Sequence, residues 1–146
     1  MFRPGMLTIG EKDKKGRPVL WFRPEMLKKA EGGQQRLRNK QITEKLDKQY
    51  PNEGWILAGD SSQMTRENVD MDYYLFCLKI HMVYYPRSAK FIIPMYIPSA
   101  IDDVSKTLMD VIGDYELKNR VKFMKFKELT DNYVDAKNVP SYVTRT

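Results

Sequence analysis

A chain of 146 residues is long enough to bury one continuous core and fits a single domain over residues 1–146. Hydrophobic residues at 42% and charged residues at 30% exclude a disordered composition, and no apolar run approaches the ~20 residues that a membrane span needs. A net charge of +6 and a pI near 9.3 favour acidic partners: an anionic lipid surface, a nucleic acid or an acidic protein.

The start, Met1 to Met6, lacks the apolar core of a signal peptide. One cysteine excludes an internal disulfide framework and suits a reducing compartment. The expected setting is cytoplasmic, peripheral to membranes. Basic residues form three groups: Lys12 to Arg17, Lys28 to Lys40, and Lys118 to Lys127. None is an unbroken run, so a solvated positive surface is the first reading and a membrane-facing patch the second.

In chain order, Leu7 to Ile9 predicts a short strand leading to the turn Asp13-Lys14-Lys15-Gly16. Pro18 to Phe22 reads as a strand, with proline tolerated at its first position. Gly32-Gly33-Gln34-Gln35 is the one linker-like stretch. Ile42 and Leu46 mark the weak apolar stripe of a helix from about Arg36 to Gln49, stopped by Pro51. Trp55 to Gly59, ending at Asp60, is an unbroken apolar run, as in a strand covered on both faces.

Asp70 to Tyr85 predicts a helix capped by Asn68 or Asp70 and closed by Pro86. On a helical wheel Met71, Tyr74, Leu75, Leu78 and Met82 share one face, while Tyr73, Phe76, Cys77, Ile80 and Tyr84 share another. A helix apolar on most of its circumference needs cover on more than one side. Either a homodimer or the segment Met1 to Gly10 folded across it is expected to supply that cover.

Lys90 to Met95 reads as a second buried strand. Ser99 with Asp102 fits a capping box, followed by Ile101, Val104, Leu108, Val111 and Ile112 at helical spacing. Arg120 to Lys125 predicts a final strand, and Leu129 to Val134 a short helix before an irregular tail. Strands alternating with helices give an α/β fold: a mainly parallel sheet of four to five strands with helices packed on it.

Chemistry is sparse. None of the phosphate-cradling or nucleophile-elbow loops that parallel-sheet enzymes carry is present. Asp60, at the end of a strand, offers a metal ligand or base, but turn formation and capping are its preferred role. Cys77 and His81 lie four apart on one helix, the spacing of a nucleophile pair. Inside an apolar helix a thiol becomes inert, and two such ligands leave a zinc site half built. No catalytic residue, metal or cofactor is expected. Lys122 to Lys127 mixes basic and aromatic residues as single-strand nucleic-acid surfaces do. A half-buried strand alternates in the same way, so no nucleic-acid partner is expected.

From Gly16 onward the motifs resemble the CRAL-TRIO lipid-binding family. Asp13 to Val19 resembles its "D-x-x-G-R-P-V" segment, and the strand ending at Asp60 its "D" strand. Tyr84-Tyr85-Pro86 stands for "Y-Y-P", with Lys90 and Pro94 for "K…N-x-P". Val121-Lys122-Phe123 and Val139-Pro140 are similar to the later "K-I-x-F" and "L-P" segments. Val69 to Asp72 before Tyr-Tyr-Pro most resembles the lobe of motile-sperm-domain-containing proteins. The likeness runs from Leu7 to Pro140.

The resemblance implies a pocket for one lipid or other lipophilic ligand between the sheet and a movable gate helix, here Ser99 to Ile112. Binding and intermembrane transfer of that ligand are the implied function; the alternative is an interaction or membrane-tethering module that has lost the cavity. Candidate lining residues are Tyr74, Leu78, Met82, Phe91, Ile93, Met95, Ile101, Val104, Leu108 and Phe123. Arg87, Lys90 and Arg120 are the candidates for headgroup or membrane contact. The sequence departs from the family pattern in three ways. Arg87 replaces the glutamate that phosphatidylinositol-binding members carry after "Y-Y-P". The preceding helical lobe has no counterpart, and Tyr142 to Thr146 replaces the terminal "G-G".

Overall fold

A computed structural model describes residues 6 to 27 and 32 to 146. Lys28 and Lys29 of the second basic group, and the first five residues of the segment expected to fold across the apolar helix, lie outside them.

Four strands form one sheet whose spatial order follows the chain. Strand β1 (Leu7–Ile9) runs antiparallel to β2 (Val19–Phe22), with Leu7 opposite Phe22. The turn between them is tied by Asp13. Its carboxylate accepts the backbone N–H of Lys15 and Arg17 at 3.0 and 2.7 Å and the Arg17 guanidinium at 2.7 Å. Gly16 supplies the left-handed residue of that turn. Strands β3 (Trp55–Asp60) and β4 (Ala89–Met95) continue the sheet in parallel. The expected strand at Arg120 to Lys125 shrinks to a single bridge from Val121 to Ile92.

Helix α1 (Gly32–Gln49) makes the crossover from β2 to β3 and starts earlier than its apolar stripe implies. The stripe is weak because part of its inward face is polar. Buried Thr43 donates to Asn39, which in turn donates to the Tyr73 hydroxyl and to the Cys77 sulfur. The next crossover is α2 (Met71–Lys79), whose first turn is capped by Asp70, accepting from the Tyr73 N–H at 3.2 Å. Asn68 serves a separate turn with Thr65. From Ile80 to Tyr84 the helix widens to π geometry, closed by the Tyr85 N–H on the Ile80 carbonyl at 2.7 Å.

Helix α3 (Asp102–Ile112) follows a 3₁₀ turn at Ser99–Ile101 that has no side-chain cap, in place of the expected capping box. Helix α4 (Phe126–Asn132) precedes the tail. The two faces of the sheet are covered differently. On one, Val19, Trp21, Ile56, Ala58, Ile93 and Met95 pack against Leu129, Val134, Val139 and Val143. On the other, Leu7, Leu20 and Trp55 pack against Ile42 and Leu46 of α1 and Tyr73 of α2, and α3 joins through Ile101 and Val104.

Helix α2 thus finds part of its cover within the chain. The sheet lies beneath it, α1 and α3 flank it, and buried Met6 and Leu7 share its cluster. Leu75, Val83 and Tyr84 remain exposed on its outer side.

Candidate functional site

Between the sheet, α2 and α3 lies an apolar cavity of about 210 Å³. Its floor includes Phe22, Leu57, Gly59, Ile92 and Pro94; α2 contributes Tyr73, Tyr74, Cys77 and Leu78; the widened turn contributes His81. Helix α3 forms the roof through Val104, Ser105, Leu108, Met109 and Ile112, with Ile101 just before it. This follows from its sequence. The apolar residues recur at helical spacing on one side, while Asp102, Asp103, Lys106 and Asp110 face water.

The structure brings Tyr74, Leu78, Ile101, Val104, Leu108 and Phe123 together around the cavity. Phe123 is half exposed there. Ile93 borders it, but its side chain packs into the opposite cluster. Phe91 and Met95 also belong to that opposite face, where Phe91 meets Tyr133 edge-on at 5.2 Å and the Arg17 guanidinium at 5.3 Å. Met82 does not line the cavity. The β4 side chains that do are Ile92 and Pro94, one position out of phase with those expected. An irregularity at the start of β4 causes this: Ala89 pairs with Trp55 but Phe91 with Ile56, so Lys90 is an extra residue that reverses the alternation. A run apolar on both faces carries no signal of which residues point which way.

Of the three cationic candidates, Arg87 and Lys90 are exposed. Arg120 is engaged internally: it pairs with Glu116 at 2.9 Å and donates to the Ala89 carbonyl. That anchors the segment before Val121 to the start of β4.

The remaining chemical candidates have structural partners. Asp60 accepts the Ser62 N–H at 2.8 Å and both the N–H and hydroxyl of Thr144 at 2.7 Å. Burial alone raises its pKa, but these hydrogen bonds outweigh it and hold the carboxyl below its usual value. Asp60 therefore fastens the C-terminal tail to the end of β3. Burial pushes the Cys77 thiol up to about 12, against the opposing hydrogen bonds from Tyr73 and Asn39. His81 is lowered to about 4, first by burial and then by the nearby Arg120 charge. At neutral pH the pair is a thiol and a neutral imidazole, without an activated nucleophile. Among the described residues no cluster of metal-ligating side chains occurs and no helix is long and apolar enough to cross a membrane.

The chain that builds this sheet and cavity matches the family model of the CRAL/TRIO domain over residues 2–144. The chain belongs to the CRAL/TRIO domain family. Membership carries, at family level, the binding of lipids or other small hydrophobic ligands. The fold is also similar to that in the crystal structure of Sfh5, with a TM-score of 0.56 and 12% identity. That likeness covers 97% of this chain and 60% of the other, so the chain spans less than two thirds of that protein's length. No curated protein matches the chain by sequence.

Proposed function

We propose that this CRAL/TRIO domain holds one hydrophobic ligand, a lipid, in the cavity beneath α3 and passes it between membranes without catalysing a reaction. The observation that carries this reading is the cavity itself, whose roof is one amphipathic helix rather than a layer of the sheet. An apolar cavity of ~150 Å³ holds a benzene ring, and pockets for larger ligands span ~300–1,000 Å³. At about 210 Å³ the cavity as described suits a ring or a short acyl segment. A whole phospholipid requires α3 to move outward. Each buried methylene contributes about 0.8 kcal/mol to retention.

Arg87 and Lys90, both exposed, would hold the domain at an anionic bilayer during exchange, each contributing about 1 kcal/mol near the surface. Leu75, Val83 and Tyr84 are the apolar surface through which two copies would associate, which light scattering reads directly. Native mass spectrometry of the purified protein tests the central claim, and a co-purified lipophile is the expected result. Leu108→Asp should abolish ligand uptake while leaving far-ultraviolet circular dichroism unchanged. A carboxylate is costly beside an acyl chain but not where the helix turns to water. Unchanged uptake by that variant would show that α3 does not roof the site.

A further inference from the structure

One polar side chain in the cavity has no counterpart within the protein. His81 is 2% exposed and lines the cavity, yet neither ring nitrogen has a hydrogen-bond partner among the described residues. The polar groups beside it are already engaged: Asn39 donates to Tyr73 and Cys77 and accepts from Thr43. Other buried side-chain atoms without partners belong to residues that do not line the cavity. Burying an imidazole with both nitrogens unpaired is costly, and a phenylalanine would fill the same space without that cost. The ring is also held in place. The π turn at Ile80–Tyr84 carries it, and Trp55 packs edge-on against it at 5.6 Å. Such turns recur at functional sites.

Resting on the reading that the cavity holds a lipophile, we propose that His81 is its recognition group and selects a lipophilic alcohol over a hydrocarbon of the same shape. A neutral imidazole presents one N–H and one lone pair. Burial, and after it the Arg120 charge, favours that neutral form. A hydroxyl both donates and accepts, so it satisfies whichever nitrogen faces the ligand; a carbonyl satisfies only the N–H. The walls supply binding to any apolar body, and the hydrogen bond supplies the discrimination.

Decalin and 2-decalol, two rigid bicyclic probes that differ by one hydroxyl, test this by isothermal titration calorimetry. The full chain should bind 2-decalol about tenfold more tightly than decalin. His81→Phe, which keeps a ring against Trp55, should reverse the preference, because the hydroxyl is then buried without a partner. His81→Gln should restore part of it. Histidine occurs once in the chain, so its ring-nitrogen NMR signals report on this site alone in the unaltered protein. They should move on adding 2-decalol and stay in place on adding decalin. Equal binding of the two probes, or ring nitrogens already bonded to water and unmoved by either probe, would overturn the assignment and leave the lipophile cavity standing. Failure of both probes to bind would overturn the assignment and the cavity reading together.

Discussion

The two faces of the sheet receive similar strand residues and do different things with them. Against α4 and the tail, Trp21, Ile56, Ile93 and Met95 are sealed by Leu129, Val134, Val139 and Val143, all almost wholly buried. On the other face that seal is complete only under α1 and the first part of α2; beneath α3 it gives way to the cavity. One face is packed shut by buried side chains, and the other leaves room beneath α3. The difference lies in what crosses above. The tail is pinned along its length by Asp60, by the Tyr96 hydroxyl on the Thr146 carbonyl at 2.8 Å, and by Arg145 on the Val139 carbonyl at 3.1 Å. Outside the cavity, α3 is tied at its first turn, where Arg66 meets Asp103 at 2.8 Å and the Ala100 carbonyl at 2.7 Å.

The same truncation on the two faces should therefore differ in cost. Leu129→Ala, in the sealed face, should lower unfolding free energy by about 3 kcal/mol in urea denaturation, without altering ligand uptake by the folded fraction. Leu108→Ala, beside existing space, should cost about 1 kcal/mol and weaken uptake. Equal costs would mean that α3 is packed as tightly as α4.

A pH series should find the cavity side as well. His81 titrates near 4 when folded, below its ordinary value of 6.5. The unfolded chain thus binds the extra proton first as pH falls. Its contribution is fully present above pH ~6.5, is lost progressively down to pH ~4, and amounts to roughly 3 kcal/mol. His81→Phe should flatten that slope. A slope unchanged by the substitution would place the titration elsewhere.

Cys77→Ala should cost about 1 kcal/mol through lost packing and, by removing one atom of the cavity wall, shift ligand uptake only slightly without abolishing transfer. Loss of a measured transfer or hydrolytic activity, with fold and occupancy preserved, would reinstate the thiol as a functional group. The smallest effect belongs to the surface tie: Arg66→Ala should leave the melting temperature unchanged and speed ligand exchange in a stopped-flow assay. An unchanged exchange rate would show that α3 moves without loosening its first turn.

Much of this arrangement was legible beforehand where burial is one-sided. The spacing of Ile101, Val104, Leu108 and Ile112 marks a one-sided helix, which the family resemblance makes the gate, and the unbroken runs at Trp55 and Phe91 mark strands buried on both faces. Those same runs concealed which residues face the cavity, and the extra residue at Lys90 concealed it further. The expected last strand keeps a single bridge at Val121; beyond it Phe123 borders the cavity while Met124 and Phe126 pack against the opposite cluster. In the sequence His81 stands out only beside Cys77, because its two unpaired nitrogens are a property of its surroundings.

The widened turn before Tyr85 makes the chemistry of the cavity depend on a count of residues. A π turn takes up one more residue than an α turn over the same rise, and here Pro86 and the buried Ser88 fix where the segment must end. Deleting one residue between Met82 and Tyr84 would let the helix close with ordinary pitch, still reaching Pro86. Because the wide turn absorbs that residue, α2 would keep its place on the sheet, and only the residues of the turn, His81 among them, would be re-aimed relative to the cavity. A one-residue change in length should therefore be felt first at the imidazole proposed as the recognition group.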